Sequence, residues 1–294
     1  MANLKELKGR ITSVKSTQKI TKAKQMVAAA KLRRAQEAAE ASKPYAMRMA
    51  AVIANLTSAA EGGQGPKLLS GTGKDDTHLV IVMTAERGLC GGFNANVVKR
   101  AKEEIMRLQG EGKTVRIVTI GKKGREQLIR THGDLLVDHV DTSSARGSDD
   151  LSEISLKLAR DLSTSFDAGE FDVATLIYSQ FRNVISQVPV AKQMIPAVPP
   201  EETPIVDLKG ATYIYEPSEE EILEALLPRY INTQLLSALL ESAAGEQAAS
   251  MTAMDNATRN AGELIDKLNL QYNRARQAQI TTELIEIIAG AEAL

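Results

Sequence analysis

Apolar and small residues recur along the first fifth of the chain at alternating spacings of three and four: Leu4, Leu7, Ile11, Val14, Gln18, Thr21, Gln25, Ala28, Leu32, Ala35, Ala39, Ser42, Ala46, Met49, Ile53 and Leu56. An unbroken register of this kind is a coiled-coil signature. At the α-helical rise, a helix over residues 3–58 is about 85 Å long, with Pro44 permitting a kink or a pause. The other end of the chain repeats the pattern from Leu236 through Leu240, Ala243, Gln247, Ser250, Met254, Ala257, Ala261, Leu264, Leu268, Gln271, Ala275, Ala278, Thr282 and Ile285 to Ala289. "PSEEE" marks its start: Ser218 is the N-cap, Glu221 takes the capping-box position, and Pro228 allows a kink further on. Neither stretch has the wide apolar face of a helix lying on a globular surface, so the two ends are expected to pair with each other, antiparallel.

Both seams are apolar at their ends and carry Ala, Gln, Thr and Ser in the middle. Each such layer stabilises less than the roughly 1.5–3 kcal/mol of a buried Leu. A long rod with a thin centre suggests a shaft held by something around it.

Between the ends the period changes. Residues 62–77 read as a Gly-rich polar linker, "HLVIVMT" as a buried strand, 92–109 as a helix, "TVRIVTI" as a strand, "KKGREQLIRT" as a short helix and "LLVDHV" as a strand. A helix over about 150–166, the strand "DVATLIYSQF" and the extended stretch "VISQVPVAKQMIP" follow. Alternation of this kind gives an α/β fold with a mostly parallel sheet. The expected divisions are 1–60 for the first coiled-coil helix, 61–216 for the α/β domain and 217–294 for the second helix.

Composition sharpens this picture at three points. Aromatics are only 3% and Trp is absent, which favours Ala-rich helical packing. A single cysteine excludes an internal disulfide framework and fits a reducing compartment. No apolar stretch matches a signal peptide or a membrane span, so a soluble bacterial cytoplasmic chain is expected, without direct membrane insertion. The net charge of -1 hides a strong asymmetry: up to Lys43 eleven Lys or Arg face only Glu6, Glu37 and Glu40. Lys8, Lys15, Lys22 and Lys43 fall at e positions and Arg10, Lys24 and Lys31 at g positions. The second helix offers few acids to match them, chiefly Glu246 and Glu286, so the belt is expected to face an acidic partner.

Candidate chemistry fails on inspection. After the first strand, "ERGLCGGFN" has Cys90 and Phe93 where a dinucleotide fingerprint needs its second and third glycines, and "SGTGKDD" lacks both the first Gly and the Ser or Thr of a P-loop. Cys90 as a nucleophile needs a base, and His78, His132 and His139 have no triad or metal spacing, so an inert packed thiol is expected. No catalytic residue, metal or cofactor is assigned, and no nucleic-acid partner.

Three segments, "STQKITKAKQMVAAAKLRRAQ", "ERGLCGGFN" and "EQAASMTAMDNATRNAGELIDKLNLQYNRARQAQITTELIEIIAGA", resemble the gamma subunit of F-type ATP synthase over essentially the full length of the chain. The resemblance implies a long antiparallel coiled coil of the terminal helices bracketing a Rossmann-like α/β domain, in a non-catalytic rotor. Its partners would be the alpha and beta subunits of the catalytic head, the epsilon subunit and the membrane c-ring, placing it peripherally on the cytoplasmic side of the bacterial inner membrane. By the same resemblance Lys15, Lys22, Lys24, Lys31, Arg274, Arg276, Gln277, Thr282 and Glu283 would meet beta subunits. Ile280, Leu284, Ile287 and Ile288 would form an apolar bearing in the hexamer. Lys43, Pro44, Tyr45, Tyr213, Tyr215 and Glu216 would face the ring and epsilon. The family commonly carries Met where this chain has Lys24. Two rival readings are a coiled-coil scaffold without rotation and a nucleotide-binding or thiol-using α/β enzyme with coiled-coil ends.

Overall fold

The computed structural model describes residues 4–59, 65–198 and 218–292. The elements are α1 (Leu4–Ala59), α2 (Lys67–Ser70), β1 (Thr77–Met83), α3 (Phe93–Gly110), β2 (Thr114–Ile120), α4 (Lys122–His132), β3 (Leu136–Val140), α5 (Ser148–Asp167), β4 (Val173–Phe181), β5 (Gln187–Ile195) and α6 (Glu219–Glu292). Both terminal helices run through their prolines, Pro44 and Pro228. Ser218 caps α6 as its position predicts, its Oγ accepting a hydrogen bond from the Glu221 amide at 3.3 Å. The short α2 lies in the stretch that composition marks as a linker.

The chain divides into two compact units, residues 30–249 and the pair of segments 1–29 and 250–294. In the larger unit a five-stranded sheet runs in the order β3-β2-β1-β4-β5. Its first four strands are parallel, and β5, the stretch read only as extended, returns antiparallel to β4. β1 sits at the centre and is apolar on both faces, as a strand covered twice must be. Val80 and Val82 pack with Val97, Ala101 and Ile105 of α3 and Leu128 of α4. Leu79, Ile81 and Met83 belong to the larger core on the opposite face, built with α5, the end of α1 (Met49, Ile53, Leu56) and the start of α6 (Leu223, Leu227, Ile231, Leu235).

In the smaller unit the segments of α1 and α6 pack antiparallel. Leu7 and Ile11 are buried with Leu268, and Val14, Tyr272 and Ala275 pack against them. The middle layers are joined by hydrogen bonds. Gln25 Nε2 donates to Asp255 Oδ1 at 2.9 Å, Thr258 Oγ1 to Thr21 Oγ1 at 2.7 Å, and Gln18 Nε2 to the Thr258 carbonyl at 3.5 Å. These cross-helix pairs favour one register, because a shift by a turn would separate Gln25 from Asp255 and Thr21 from Thr258.

Candidate functional site

In an open parallel sheet a ligand crevice forms beyond the carboxyl ends of the strands, where the order of connections reverses. Here that place lies between β1 and β4, whose following loops are the 84–92 turn and the 182–186 hairpin tip. The turn is organised from within. Asn94 Oδ1 accepts from the Ala85 amide at 2.9 Å, its Nδ2 donates to the Arg87 carbonyl at 3.2 Å, and the same amide group lies 3.2 Å from Cys90 Sγ. Glu86 Oε1 accepts from the Thr142 amide at 2.7 Å and from its hydroxyl at 2.8 Å, tying the turn to the segment after β3. Leu89 takes a left-handed φ of 69°, a conformation costly for a non-glycine residue, and points an exposed aliphatic side chain outward.

The crevice is filled by the protein's own C-terminal helix. A Cβ at Gly245 would stand 3.2 Å from the Phe93 ring and 3.5 Å from Gln187 Cγ, so α6 lies close to α3 and β5 here, and a larger residue would require the ring to give way. One turn on, Ala249 packs against the buried Ala85, Cys90 and Phe93. Glu246 stands between them, half-buried. Burial raises its pKa to about 7, opposed by the charges of Lys31 and Arg87 and reinforced by that of Glu86. Two carboxylates, Glu86 and Glu246, thus flank a turn that a phosphate would need to approach. The turn is a strand-to-helix connection seated under a helix, an arrangement that disfavours an anion.

Cys90 is 2% exposed, and burial, then the Glu246 charge, pushes its thiol pKa up. A nucleophilic cysteine needs the opposite shift. The histidines lie elsewhere: His78 pairs with Asp75 at 2.7 Å, His139 with Thr119 Oγ1 at 3.0 Å, and His132 closes α4. Among the described residues no group of three potential ligands could hold a metal ion. On α6, Glu241 faces Lys192, Lys43 and Tyr178, and burial raises its carboxyl in spite of the two lysines.

The residues singled out by sequence are surface residues. Lys15, Lys22, Lys24 and Lys31 are all exposed on α1. Lys22 donates to Gln25 Oε1 at 3.0 Å, and Lys31 lies near Glu246, an inward neighbour that a purely outward belt does not anticipate. Lys43, Pro44 and Tyr45 are exposed on the same helix, whereas Tyr213, Tyr215 and Glu216 lie outside the described residues. Arg274, Arg276, Gln277, Thr282 and Glu283 are exposed on the last stretch of α6, where Gln279 donates to Glu283 at 2.8 Å.

On that stretch the apolar stripe stands uncovered. Ile280 is 55% exposed, Leu284 55%, Ile287 69% and Ile288 51%, with the seam residue Ile285 at 60%. Ala275 packs against the cluster of Leu7, Ile11 and Leu268, and beyond it the seam positions Ala278, Thr282, Ile285 and Ala289 are exposed among the described residues. Sequence periodicity finds the seam and the stripe. It finds Glu246 only as an acid beside the seam and misses Asp255 and Thr258, polar residues whose roles depend on partners far away in the chain.

A profile of the family described as ATP synthase matches residues 3–294. The ATP synthase gamma chain of Hyphomonas neptunium is 67% identical over 294 residues, covering all of both chains. That of Paracoccus denitrificans is 60% identical over 299 residues, again covering both completely. Among solved structures, the central stalk and c-ring of the Tetrahymena thermophila mitochondrial ATP synthase contains a chain with TM-score 0.58 and 27% identity. The match covers 81% of this chain and 99% of that one. A chain of the Euglena gracilis mitochondrial enzyme, from its OSCP/F1/c-ring assembly, gives TM-score 0.66 over 99% of this chain and 94% of its own, and at 20% identity that likeness is one of fold alone.

Proposed function

The chain belongs to the ATP synthase gamma-chain family, and from that premise we propose that it is the central rotor shaft of a bacterial F-type ATP synthase. It couples proton-driven rotation of the membrane c-ring to ATP synthesis or hydrolysis at sites on the beta subunits and carries no catalytic site of its own. Alpha and beta subunits surround its terminal helices, and epsilon and the c-ring bind its α/β domain. No helix among the described residues is long and apolar enough to cross a membrane, which suits a subunit held peripherally, on the cytoplasmic face of the inner membrane, by its partners.

One observation carries this reading beyond family membership: the uncovered aliphatic stripe of Ile280, Leu284, Ile287 and Ile288. A contiguous exposed apolar surface marks a binding face. Burial of apolar area has little angular preference, so a collar around this stripe holds the helix without directional bonds that rotation would break. Just before and among these residues, Arg274, Arg276, Gln277, Thr282 and Glu283 offer the directional polar contacts that distinguish one angle from another. The exposed lysines at 15, 22, 24 and 31 supply positive charge for acidic beta-subunit loops, and Lys43, Pro44 and Tyr45 offer a charged and aromatic contact for the ring or epsilon.

The test is reconstitution. The highly purified chain should neither bind nor hydrolyse ATP in calorimetric titration and turnover assays, yet should confer sustained ATPase turnover on alpha and beta subunits. Hydrolysis by the chain alone, abolished by Cys90→Ala, would overturn the reading.

A further inference from the structure

The two faces of the sheet are covered by helices of opposite charge. On one face α3 and α4 together carry eight Lys or Arg against three Glu, whereas α5 on the other carries two against five acids. Two of those three glutamates are already paired within their own helices: Glu104 lies 3.3 Å from Arg100 and 2.6 Å from Arg107, and Glu126 lies 2.6 Å from Lys123. Lys99, Lys102, Arg125 and Arg130 form no ion pair among the described residues.

This positive layer is not flat. A groove of about 360 Å³ runs between α3 and α4. Ala95, Val98, Lys102 and Met106 line it from α3 at spacings of three, four and four, the pattern by which one helix face receives another. Val98 is 3% exposed and Met106 59% exposed, so an apolar floor runs to an uncovered apolar end. From Ala95 to Met106 the lining extends about 16 Å along the helix axis, about three turns. Lys99 stands beside Lys102, and on α4 Arg130 follows one turn after the lining residue Gln127. Glu103 is the one acid among the lining residues.

We propose that this groove docks an amphipathic helix of a protein partner, with its aliphatic stripe toward Val98 and Met106 and its acidic flanks toward Lys99, Lys102 and Arg130. A recessed apolar floor accepts single side chains, which a flat lipid surface does not insert. Cations on both helices match a row of carboxylates better than one small anion. Glu103 narrows the choice further, because the partner position opposite it must be neutral or basic. The inference concerns the surface of the larger unit and does not rest on the rotor reading.

The probe is a synthetic helical peptide with a leucine stripe, a glutamate face and one benzophenone on the stripe, photolysed with the full-length chain and mapped by mass spectrometry. Label should fall within residues 95–106 and 123–130, and a peptide with the same stripe and a lysine face should label this region at least about tenfold less. Lys99→Glu combined with Lys102→Glu should reduce groove labelling at least about tenfold, while Lys157→Glu combined with Arg160→Glu, an equal change of charge on α5, should leave it unchanged. Met106→Ser, at an exposed position, removes apolar contact without adding charge. Read by anisotropy titration, so that loss of a photoreactive methionine does not enter, it should weaken binding by about threefold or more. Label confined to α1 or the end of α6, equal labelling by the two peptides, or groove labelling untouched by the Lys99 and Lys102 reversal overturns the proposal. So does co-sedimentation with phosphatidylglycerol vesicles that this reversal abolishes while no peptide label enters the groove, which would assign the face to a lipid surface.

Discussion

Gly121 follows β2 at φ 85°, and a Cβ built there would lie 2.1 Å from the Thr84 carbonyl oxygen. The obstacle is backbone, pinned by the bond from the Thr84 amide to the Ile120 carbonyl at 2.8 Å, so no rotamer change relieves it. Gly121→Ala should cost at least about 3 kcal/mol in urea denaturation, through the clash and the left-handed φ together; a midpoint unchanged from wild type would mean that the turn rearranges freely. At this scale sequence is a partial guide. Cys90 was legible as a packed thiol because no histidine stood at a useful spacing, and the structure buries it. Glu246 was legible only as one of two acids beside the seam. Its neighbours Glu86 and Arg87 reach it through a sheet whose pairing no local pattern specifies, so its raised pKa could not be read from the chain.

The paired helices illustrate what a hydrophobic period contains. From Leu7 to Leu56 every seam position on α1 is buried or half-buried, because a strict three-four spacing leaves one face for a partner and names its members. On α6 the same spacing fails at Leu264, at Gln271, which is exposed while Tyr272 beside it is half-buried, and again past Ala275. Leu264 is 45% exposed while its neighbour Ile265 is 8% exposed, the drift expected when a helix of 3.6 residues per turn meets a 3.5 repeat. Past Ala275 the seam positions of α6 are exposed among the described residues. Periodicity specifies a face and is silent on where the partner stops. The thin centre was legible as weak packing, but its hydrogen bonds were not, since they join residues more than two hundred positions apart. Thr258→Val should leave Thr21 Oγ1 without its cross-helix donor at a half-buried site and cost about 1 kcal/mol in chemical denaturation. Lys24→Ala, exposed on the same helix pair, should change stability by less than about 0.5 kcal/mol. Equal losses in the two variants would show that the polar layer contributes no more than surface charge.

For the molecule as a working part, single charges matter little and their sum matters. An exposed ion pair contributes about 0–1 kcal/mol, so reversing Lys15, Lys22, Lys24 and Lys31 together is the informative change. In the assembled enzyme it should lower the ratio of protons pumped to ATP hydrolysed, more at low salt, where screening is weaker; an unaltered ratio would reduce the belt to a solvated face. The end of α6 allows a sharper division, because one short segment carries two kinds of surface. Its apolar stripe is uncovered, with Leu284 55% exposed, while Gln277 is exposed and offers a side-chain amide. If a collar holds the stripe through apolar burial, a charge in it is desolvated without a partner and assembly suffers. If Gln277 contributes only an angle-dependent hydrogen bond, its loss leaves the collar intact and changes how each orientation is stabilised. Leu284→Asp should therefore reduce retention of the chain by alpha and beta subunits on gel filtration, and Gln277→Ala should keep full retention while altering the ATPase rate. The reverse result, retention lost in the glutamine variant and kept in the aspartate variant, would assign the grip to polar contacts and remove the apolar bearing from the mechanism.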